Sequence, residues 1–555
     1  MKRATIFIMV STLLLAACSK DFLDKGSQVI FDDTNFWTSE NNVKSYCWEF
    51  YNLFKGYGTG TNGDFYFTTF SDDQAATGMN TFPSTAPASD GNWDYTYIRK
   101  ANLLLIRAPQ VPMSQEAINH YLGVARFFRA YEYADLVRHF GDVPYISKYL
   151  DQSETGLIYT GRTPRNQVVD SLIADLQFAA RYVRTAERSK ALGEVNLLSK
   201  EAVWAYLSRV ALYEGTYAKY VSADAARAET LLRIAKAAAG NLVANAALPY
   251  KLTPVYHELY GSLDLSKNDE VILYKTYLSG IMTHSVVGYT NSSTMMSGLT
   301  KDAVDSYLCS DGLPISLSPL YEGDMDIKST LSNRDLRLAQ SVDDVLAYIG
   351  TPNEKGFTSS TGYKITKFDN NTLSASEMLA PNNPTDAPIF WLAEVYLNYA
   401  EAAAELGEIT QTDIDNTINL LRIRAGVATL SLASVPDDPV RDSDVSPLLW
   451  EIRRERRCEL MMDGFRQWDI RRWGKLEYLD PLVKPAIFMG ARVPLPESEE
   501  SGDTPAVNAD GYILPYGPGV TREVAIPKNY LDPIPTGERT LYLLKGIEFP
   551  QNPGW

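Results

Sequence analysis

Apolar side chains recur at helical spacing in several segments of this chain, and the segments come in consecutive pairs. Steps of three and four residues place such side chains on one face of a helix, and that face must pack against another element. A chain with this pattern buries its core by packing one helix pair on the next. The spacing therefore predicts a mainly α-helical fold, with helical hairpins mainly within residues 114–240 and 388–475.

Start residues mark the first group of predicted helices. A long aromatic-rich helix is predicted from Ser114 to Phe140. Thr163 is predicted to cap a second helix, with Pro164 at its first position, where a missing N–H group does no harm. A third helix is predicted to open at Ser199.

A second group of helices follows Pro388. One helix is predicted between Pro388 and Gly407, and its partner from a Thr412 cap to Gly426. Helix pairs with short turns and facing Ala-rich and Tyr-rich stripes resemble tetratricopeptide-type hairpins, which form a core only by stacking. The chain is thus predicted to contain a frame of such hairpins.

Long irregular insertions separate the helix pairs, at about residues 31–100, 245–385 and 480–555. They are rich in Gly, Pro, Asn, Ser and Thr, and the first holds 17 aromatic residues, against 46 in the rest of the chain. Long loops in a compact protein usually carry function. We therefore predict a single domain over residues 18–555, with a helical frame and a large irregular region that carries the ligand site.

The first residues have the pattern of a processing signal. Two basic residues precede an apolar run at residues 4–17, which is too short to span a bilayer of roughly 30 Å as a helix. The run ends in Leu15-Ala16-Ala17-Cys18, which resembles the lipobox of bacterial lipoproteins. The resemblance implies a signal peptide at residues 1–17 and acylation at Cys18; the alternative is an ordinary secretory signal that ends beside a cysteine.

Charge and cysteine content exclude several classes of partner. With 52 Lys and Arg against 68 Asp and Glu, the chain carries a formal charge of −16, so its surface repels nucleic acid. Cys47, Cys309 and Cys458 have no metal-ligand or disulfide spacing, and the four histidines are scattered. We predict buried, unreactive thiols, no metal and no cofactor.

The sequence contains only partial matches to known catalytic motifs. Residues 58–63 match GxGxxG, but no helical pattern follows them, so a flexible turn is the better interpretation. His257-Glu258 begins like a zinc-protease helix, but Gly261 stands where the second histidine belongs. A pair of glycosidase carboxylates stays open, because their separation cannot be derived from sequence. The chain is predicted not to be an enzyme.

A series of short motifs extends from residue 18 to the end of the chain. The segments are Cys18 to Asp24, Ala125 to Tyr131, Leu136 to Pro144, Asn333 to Arg337, Ala393 to Ala402, Arg422 to Gly426, Glu455 to Leu460, Gly464 to Arg466, Arg471 to Trp473, Tyr530 to Pro535 and Gln551 to Trp555. Together, and in this order, they resemble the motifs of the SusD/RagB family of outer-membrane lipoproteins of Bacteroidota.

The resemblance implies a cell-surface nutrient-binding lipoprotein, anchored in the outer membrane through its lipid. Members of the family have tetratricopeptide-like hairpins and an irregular region that holds the ligand. They pass oligosaccharides, or in some branches peptides, to a SusC-like TonB-dependent transporter. The alternatives are a peptide-binding member of the same family, a glycan-cleaving enzyme and a helical-repeat scaffold without small-molecule affinity.

Aromatic residues of the insertions are the candidate ligand contacts, because flat rings cover the apolar faces of sugars while amides and carboxylates bind hydroxyls. In the first insertion we choose Trp93, with Asp73 and Asn92 as polar neighbours. In the second we choose Tyr289 and Tyr321. For Trp93 an equal alternative is that the ring docks a helix onto the core.

One family motif is predicted to be structural. Arg456 falls on the apolar face of a helix that includes Leu449, so it must find a carboxylate. Glu394, Glu401 and Asp469 are the candidates. An anion-binding role for Arg456 is the alternative.

Overall fold

A computed structural model describes residues 36–67, 70–151, 153–243, 245–291, 297–348, 352–493 and 505–555. Within these ranges the fold is mainly helical, as predicted. The helices are α1 (Glu40–Trp48), α2 (Thr96–Arg107), α3 (Gln115–Phe140), α4 (Thr155–Ile158), α5 (Arg165–Tyr182), α6 (Ala186–Ala191), α7 (Lys200–Tyr220), α8 (Ala225–Val243), α9 (Val286–Thr290), α10 (Lys301–Asp305), α11 (Ile327–Leu331), α12 (Leu336–Ser341), α13 (Leu392–Glu405), α14 (Gln411–Asp415), α15 (Ile418–Arg424), α16 (Pro447–Glu459), α17 (Arg466–Arg472) and α18 (Thr536–Leu544). The strands are β1 (Gln74–Ala76), β2 (Val271–Lys275), β3 (Ser297–Leu299) and β4 (Ala387–Trp391).

The long helices stack in sequence and form a helical frame. Helix α3 packs between α2 and α5, α5 packs on α7, and α7 packs on α8. Helix α13 continues the stack on α8, and α16 packs on α13. The apolar stripes of the first five of these helices meet in one hydrophobic core, which also takes in α1. The predicted hairpin frame is therefore present.

Capping residues fix where the frame helices begin and end. The Ser114 hydroxyl accepts from the backbone N–H of Ala117 at the start of α3, and Gly141 ends that helix with a φ of 72°. Ser199 caps α7 in the same way. At α5 the prediction is wrong by one position: Pro164 is the capping residue and the helix begins at Arg165.

The segment after residue 386 differs from the predicted continuous helix. Its first part is strand β4, which pairs antiparallel with β2, and α13 begins only at Leu392. Every residue of β4 is buried, so its side chains show no alternation that would distinguish a strand from a buried helix. The partner helix is also displaced: Thr410, and not Thr412, provides the cap, and the chain forms two short helices, α14 and α15.

A second hydrophobic core lies under the irregular region. It joins side chains of residues 57–66 and 256–277 to the buried faces of α13 and α16. Two small antiparallel sheets, β1 with β3 and β2 with β4, tie the insertions to each other and to the frame. The irregular region is thus folded on its own apolar core.

Helix α16 carries four arginines into the interior, and each one is paired with carboxylates. Arg456, which is 3% exposed, donates from Nε to Asp469 Oδ2 at 2.8 Å and from Nη1 to Asn398 Oδ1 at 2.9 Å. Of the three predicted carboxylates, Asp469 is the partner, which confirms the structural ion pair. The other pairs are Arg453 with Glu405, Arg454 with Glu451 and Asp438, and Arg457 with Asp72, Asp73 and Asp302.

The three cysteines of the described residues are unpaired and buried, as predicted. Burial raises the pKa of the Cys458 thiol to about 12 and also raises that of Cys47. Cys18 lies outside the described residues. Within the described part of the chain, no helix has both the length and the apolar character that crossing a membrane requires.

Removing the Arg456 side chain tests the buried ion pair. We expect Arg456→Ala to lower the free energy of unfolding by about 3–5 kcal/mol, because Asp469 keeps its charge in the interior with one partner fewer. The measurement is urea denaturation. Arg233→Ala is the control: Arg233 forms ion pairs with Glu229 and Glu408 at an exposed surface, and its removal should leave the midpoint unchanged. Equal losses in the two variants would contradict the interpretation.

Candidate functional site

The sheet of β1 and β3 is the centre of an aromatic surface in the irregular region. Gln74 pairs with Leu299 and Ala76 with Ser297. The Gln74 side chain donates to the carbonyl of Tyr66 at 2.8 Å and to Ser297 Oγ at 2.9 Å. The bond to Ser297 and the pairing of β1 with β3 join segments that are more than two hundred residues apart in sequence, so the surface exists only in the folded chain.

Backbone geometry at Tyr66 sets the position of the next ring. Tyr66 has a φ of 58°, a left-handed conformation that is uncommon for an aromatic residue, and its N–H donates to Met462 O at 2.7 Å. The Tyr66 ring is buried, whereas the Phe67 ring is partly exposed. Phe67 meets Tyr289 edge to face, with ring centroids 5.3 Å apart.

Tyr289 stands on α9, which is held firmly to the neighbouring loop. The N–H of Gly288 donates to Asn383 Oδ1 at 3.0 Å, and a Cβ at Gly288 would lie 2.1 Å from the backbone nitrogen of Ala380. Only glycine permits this approach. The Tyr289 hydroxyl makes no hydrogen bond with any described residue, so it is available to a ligand.

A buried polar cluster supports the end of α9. Asn291 donates to Asp369 Oδ1 at 3.1 Å, and Lys364 Nζ lies 2.9 Å from both Asn291 Oδ1 and Asp369 Oδ2. Lys364 is only 2% exposed. The cluster fixes the direction of the Tyr289 backbone.

More partly exposed rings lie at the other end of β1. The N–H of Ala76 donates to the Tyr516 hydroxyl at 3.2 Å, and Tyr516 contacts Phe488 edge to face. Phe70 and Phe82 form another such pair, with centroids 4.5 Å apart. The guanidinium of Arg522 lies over Phe70 and Phe488 and joins the two pairs. We use the term aromatic face for Phe67, Phe70, Phe82, Tyr289 and Tyr516.

Asp73 lies beneath this surface and not on it. It is 2% exposed, and its Oδ1 accepts from Arg457 Nε at 2.7 Å. Its neighbour Asp72 forms a bidentate pair with Arg466, at 2.7 Å for both bonds. Burial and the adjacent Asp72 raise the pKa of Asp73, whereas Arg457 and Arg466 together outweigh burial and lower that of Asp72. The Asp73 carboxylate is therefore paired with Arg457 inside the protein.

Trp93 packs on the helical frame, and no ring contact or hydrogen bond among the described residues joins Trp93 or Asn92 to the aromatic face. The Trp93 ring meets Phe140 edge to face at 4.9 Å and Phe549 at 6.1 Å, as part of the first hydrophobic core. These contacts favour the helix-docking interpretation of Trp93. The Asn92 amide donates to Asp90 at 3.0 Å, and Asn92 lines a cavity that is partly open to solvent.

Tyr321 belongs neither to the aromatic face nor to the surroundings of Trp93. Arg334 is positioned over its ring at 5.5 Å, and burial, with Asp305 and Asp324 nearby, raises the pKa of Tyr321 to about 12. No contact among the described residues joins Tyr321 to Tyr289. The structure thus places Tyr289 on the aromatic face and distributes the other four predicted residues elsewhere; their role in binding stays a prediction.

Sequence reasoning missed Phe67, Phe70, Phe82 and Tyr516. The density of aromatic residues in the first insertion indicated the region, but it did not separate the exposed Phe67 from the buried Tyr66 beside it. Tyr516 belongs to the last insertion, and only the bond to β1 brings it to this surface. Among the described residues, no cluster of three or more His, Cys, Asp or Glu side chains has the geometry of a metal site.

Comparison with known proteins identifies the class to which this fold belongs. The model of the SusD family matches residues 276–555, and a model described as starch-binding associating with outer membrane matches residues 21–212. The first match covers just over half of the chain. The chain therefore belongs to the SusD family, as the sequence motifs predict.

Relatives extend over nearly the whole chain. SusD-like protein P38 of Formosa agariphila is 24% identical over 501 residues, which make up 86% of this chain and 92% of that protein. A SusD-like carbohydrate-binding protein from Bacteroides fragilis has a TM-score of 0.68 and 22% identity, covering 91% of this chain and 99% of its own. Surface glycan-binding protein A from Bacteroides fluxus has a TM-score of 0.60 and 18% identity, covering 93% and 100%. At these identities the structures establish a shared fold.

Alanine substitutions at Trp93 and Tyr289 distinguish a ring that packs on the hydrophobic core from a ring that is partly exposed. We expect Trp93→Ala to lower the free energy of unfolding by about 3 kcal/mol or more, because it opens a cavity against Phe140 and Phe549. Tyr289→Ala should cost about 1 kcal/mol or less, since its ring is partly exposed. Thermal and urea unfolding of both variants give the comparison. A larger loss for Tyr289→Ala than for Trp93→Ala would reverse the assignment.

Proposed function

We propose that this protein is a glycan-binding lipoprotein of the outer-membrane surface, which captures oligosaccharides and delivers them to a SusC-like TonB-dependent transporter. The observation that carries the binding step is the aromatic face. Its five rings are partly exposed and lie around one small sheet. Rings in fixed positions cover the C–H faces of sugars without losing much conformational freedom on binding.

Rigid support distinguishes the aromatic face from a chance exposure of rings. Phe67 is positioned by the left-handed Tyr66, and Tyr289 by the bonds of α9 and its polar cluster. Because these supports are already paired within the protein, they do not compete with the ligand for hydrogen bonds. Binding then needs little reorganisation of the protein.

Membership of the SusD family supports the choice of ligand. Similar proteins are described as carbohydrate-binding and as surface glycan-binding. Peptide is the alternative ligand, and it would use the same rings together with backbone hydrogen bonds. We further propose that the protein binds its ligand without cleaving it, in agreement with the absence of a catalytic motif in the sequence.

Calorimetry on the purified protein tests the binding step, after a glycan array has selected the ligand. We expect Phe67→Ala and Tyr289→Ala each to weaken binding about tenfold or more, that is, by roughly 1–3 kcal/mol, because each removes a stacking surface. The control is Trp48→Ala, since Trp48 is a 53% exposed ring on α1, a helix that packs on α3 of the helical frame. It should keep the affinity of the unchanged protein.

Two outcomes would overturn the binding proposal. Unchanged affinity in both Phe67→Ala and Tyr289→Ala would exclude the aromatic face as the ligand site. Binding to a peptide library but to no glycan would replace the ligand class. Product analysis after long incubation should recover the oligosaccharide intact.

Replacement of Cys18 tests the membrane anchor. We expect Cys18→Ala to move from the membrane fraction to the soluble fraction when the transporter gene is deleted, because acyl chains would then provide the only attachment. With the transporter present, the variant should still co-purify with it in mild detergent. Membrane retention of Cys18→Ala in the deletion strain would contradict lipid anchoring.

A further inference from the structure

A cavity of about 320 Å³, partly open to solvent, lies between the two hydrophobic cores. Its walls come from α3, α7, α17, β4 and the loop at residues 54–65. Every lining residue belongs to the described part of the chain. Cavities of this size hold small molecules in other proteins.

Two helix faces line this cavity where helices normally pack. On each helix the lining positions follow the 3–4–7 spacing of a core stripe. They are Tyr131, Ala134, Asp135 and Arg138 on α3, and Tyr206, Arg209, Val210 and Tyr213 on α7. Side chains at the positions of a buried stripe therefore line a cavity here, where they would normally pack against another helix.

Aromatic rings form much of the wall. Tyr131 and Tyr206 are stacked, with centroids 4.9 Å apart. Across the cavity the wall includes Trp391 of β4, Phe465 just before α17, and Trp468 of α17. Rings from α3, α7, β4 and α17 thus line the same space, which suits a ligand with apolar faces.

The charged groups of the wall are mostly compensated by protein partners. Arg209 is bound to Glu394 through two bonds of 2.6 Å, and Arg138 is paired with Asp135. Asp463 is paired with Lys367, Asp469 with Arg456 and Arg472, and Glu214 with Arg165. Asp64 accepts from the Gly56 N–H at 3.1 Å and lies in the field of Lys55, Arg138 and Arg209. Such a wall attracts neither an anion nor a cation strongly.

Some neutral polar groups of the wall, in contrast, make no hydrogen bond within the protein. The Tyr131 hydroxyl and the Gln467 amide have no hydrogen-bond partner in the described part of the chain. Neither is among the fully buried atoms that lack a partner, so both are accessible. A hydroxyl and an amide beside aromatic rings match the hydroxyls of a neutral sugar.

We propose that this cavity is a binding site for one or two neutral sugar rings, separate from the aromatic face. The inference rests on the proposed glycan-binding function and adds a second site to it. Tyr131 and Tyr206 provide the stacking surface, and the Tyr131 and Gln467 side chains bind sugar hydroxyls. An oligosaccharide held on the aromatic face and a short sugar held in the cavity occupy different places.

The experiment titrates the purified mature protein with short sugars. The probes are glucose, galactose, mannose, N-acetylglucosamine, maltose, cellobiose and laminaribiose, with glucuronate and glucosamine as charged counterparts. Calorimetry gives affinity, and tryptophan fluorescence reports on the cavity through Trp391 and Trp468. We expect at least one neutral sugar to bind and to change the fluorescence, and the charged counterparts to bind at least tenfold more weakly.

Four variants locate the binding. Tyr131→Phe removes a hydroxyl that has no protein partner, so its melting temperature should be unchanged and its affinity for the short sugar about three- to tenfold lower. Ala134→Phe places a ring in the cavity and should abolish binding. The matched control is Tyr399→Phe, whose hydroxyl donates to Asp413 outside the cavity; it should bind the short sugar like the unchanged protein. Tyr289→Ala should also leave this binding unchanged.

The outcomes separate this proposal from the one on which it rests. Failure of every neutral sugar to bind, or equal affinity in Tyr131→Phe and the unchanged protein, overturns the cavity site. If oligosaccharides still bind the aromatic face in that case, the proposed function stands without it. If no glycan binds anywhere, both proposals fail. Should Ala134→Phe not fold, Tyr131→Phe alone decides, because it removes a single oxygen atom.

Discussion

Buried ion pairs around α16 are the constraint on which the rest of the structure depends. A charge taken from water is costly unless a partner of opposite sign meets it with good geometry. Arginines on one short helix meet acids from four parts of the chain: α13, the loop before α16, α17 and the residues before β1. All of these parts must be in place before the four charges are satisfied.

The same pairs connect the helical frame to the irregular region. Arg457 reaches Asp73 at the start of β1 and Asp302 on α10, so the sheet at the centre of the aromatic face rests on a charged group of the frame. Arg466 holds Asp72 from the other side. The rings of the aromatic face therefore have a rigid base although few of them belong to long elements, which is how irregular segments can present a defined surface.

Local chemistry explains which parts could be predicted from sequence. Ser114 and Ser199 begin their helices because a side-chain oxygen satisfies a free N–H, and such signals lie within a few residues. The ion pair of Arg456 was predictable as well, since a charge on an apolar face demands a partner. Strand β4 was not, because it is buried on both faces and its apolar run suits either element. The aromatic face depends on pairing between distant segments and on the backbone of Tyr66, neither of which has a local signature. Of the predicted binding residues, Tyr289 alone lies there.

The rates at which the buried thiols react with a labelling reagent report when each part of the fold opens. Cys47 belongs to the core of the helical frame and Cys458 to the core under the irregular region. Alkylating reagents attack the thiolate, and burial suppresses both its formation and its access. Each thiol therefore reacts only when its own surroundings open, and labelling kinetics resolved by mass spectrometry distinguish one cooperative unit from two. Simultaneous labelling means that the ion pairs of α16 hold the two cores together as one unit. Earlier labelling of Cys458 means that the core under the irregular region opens while the first core remains folded.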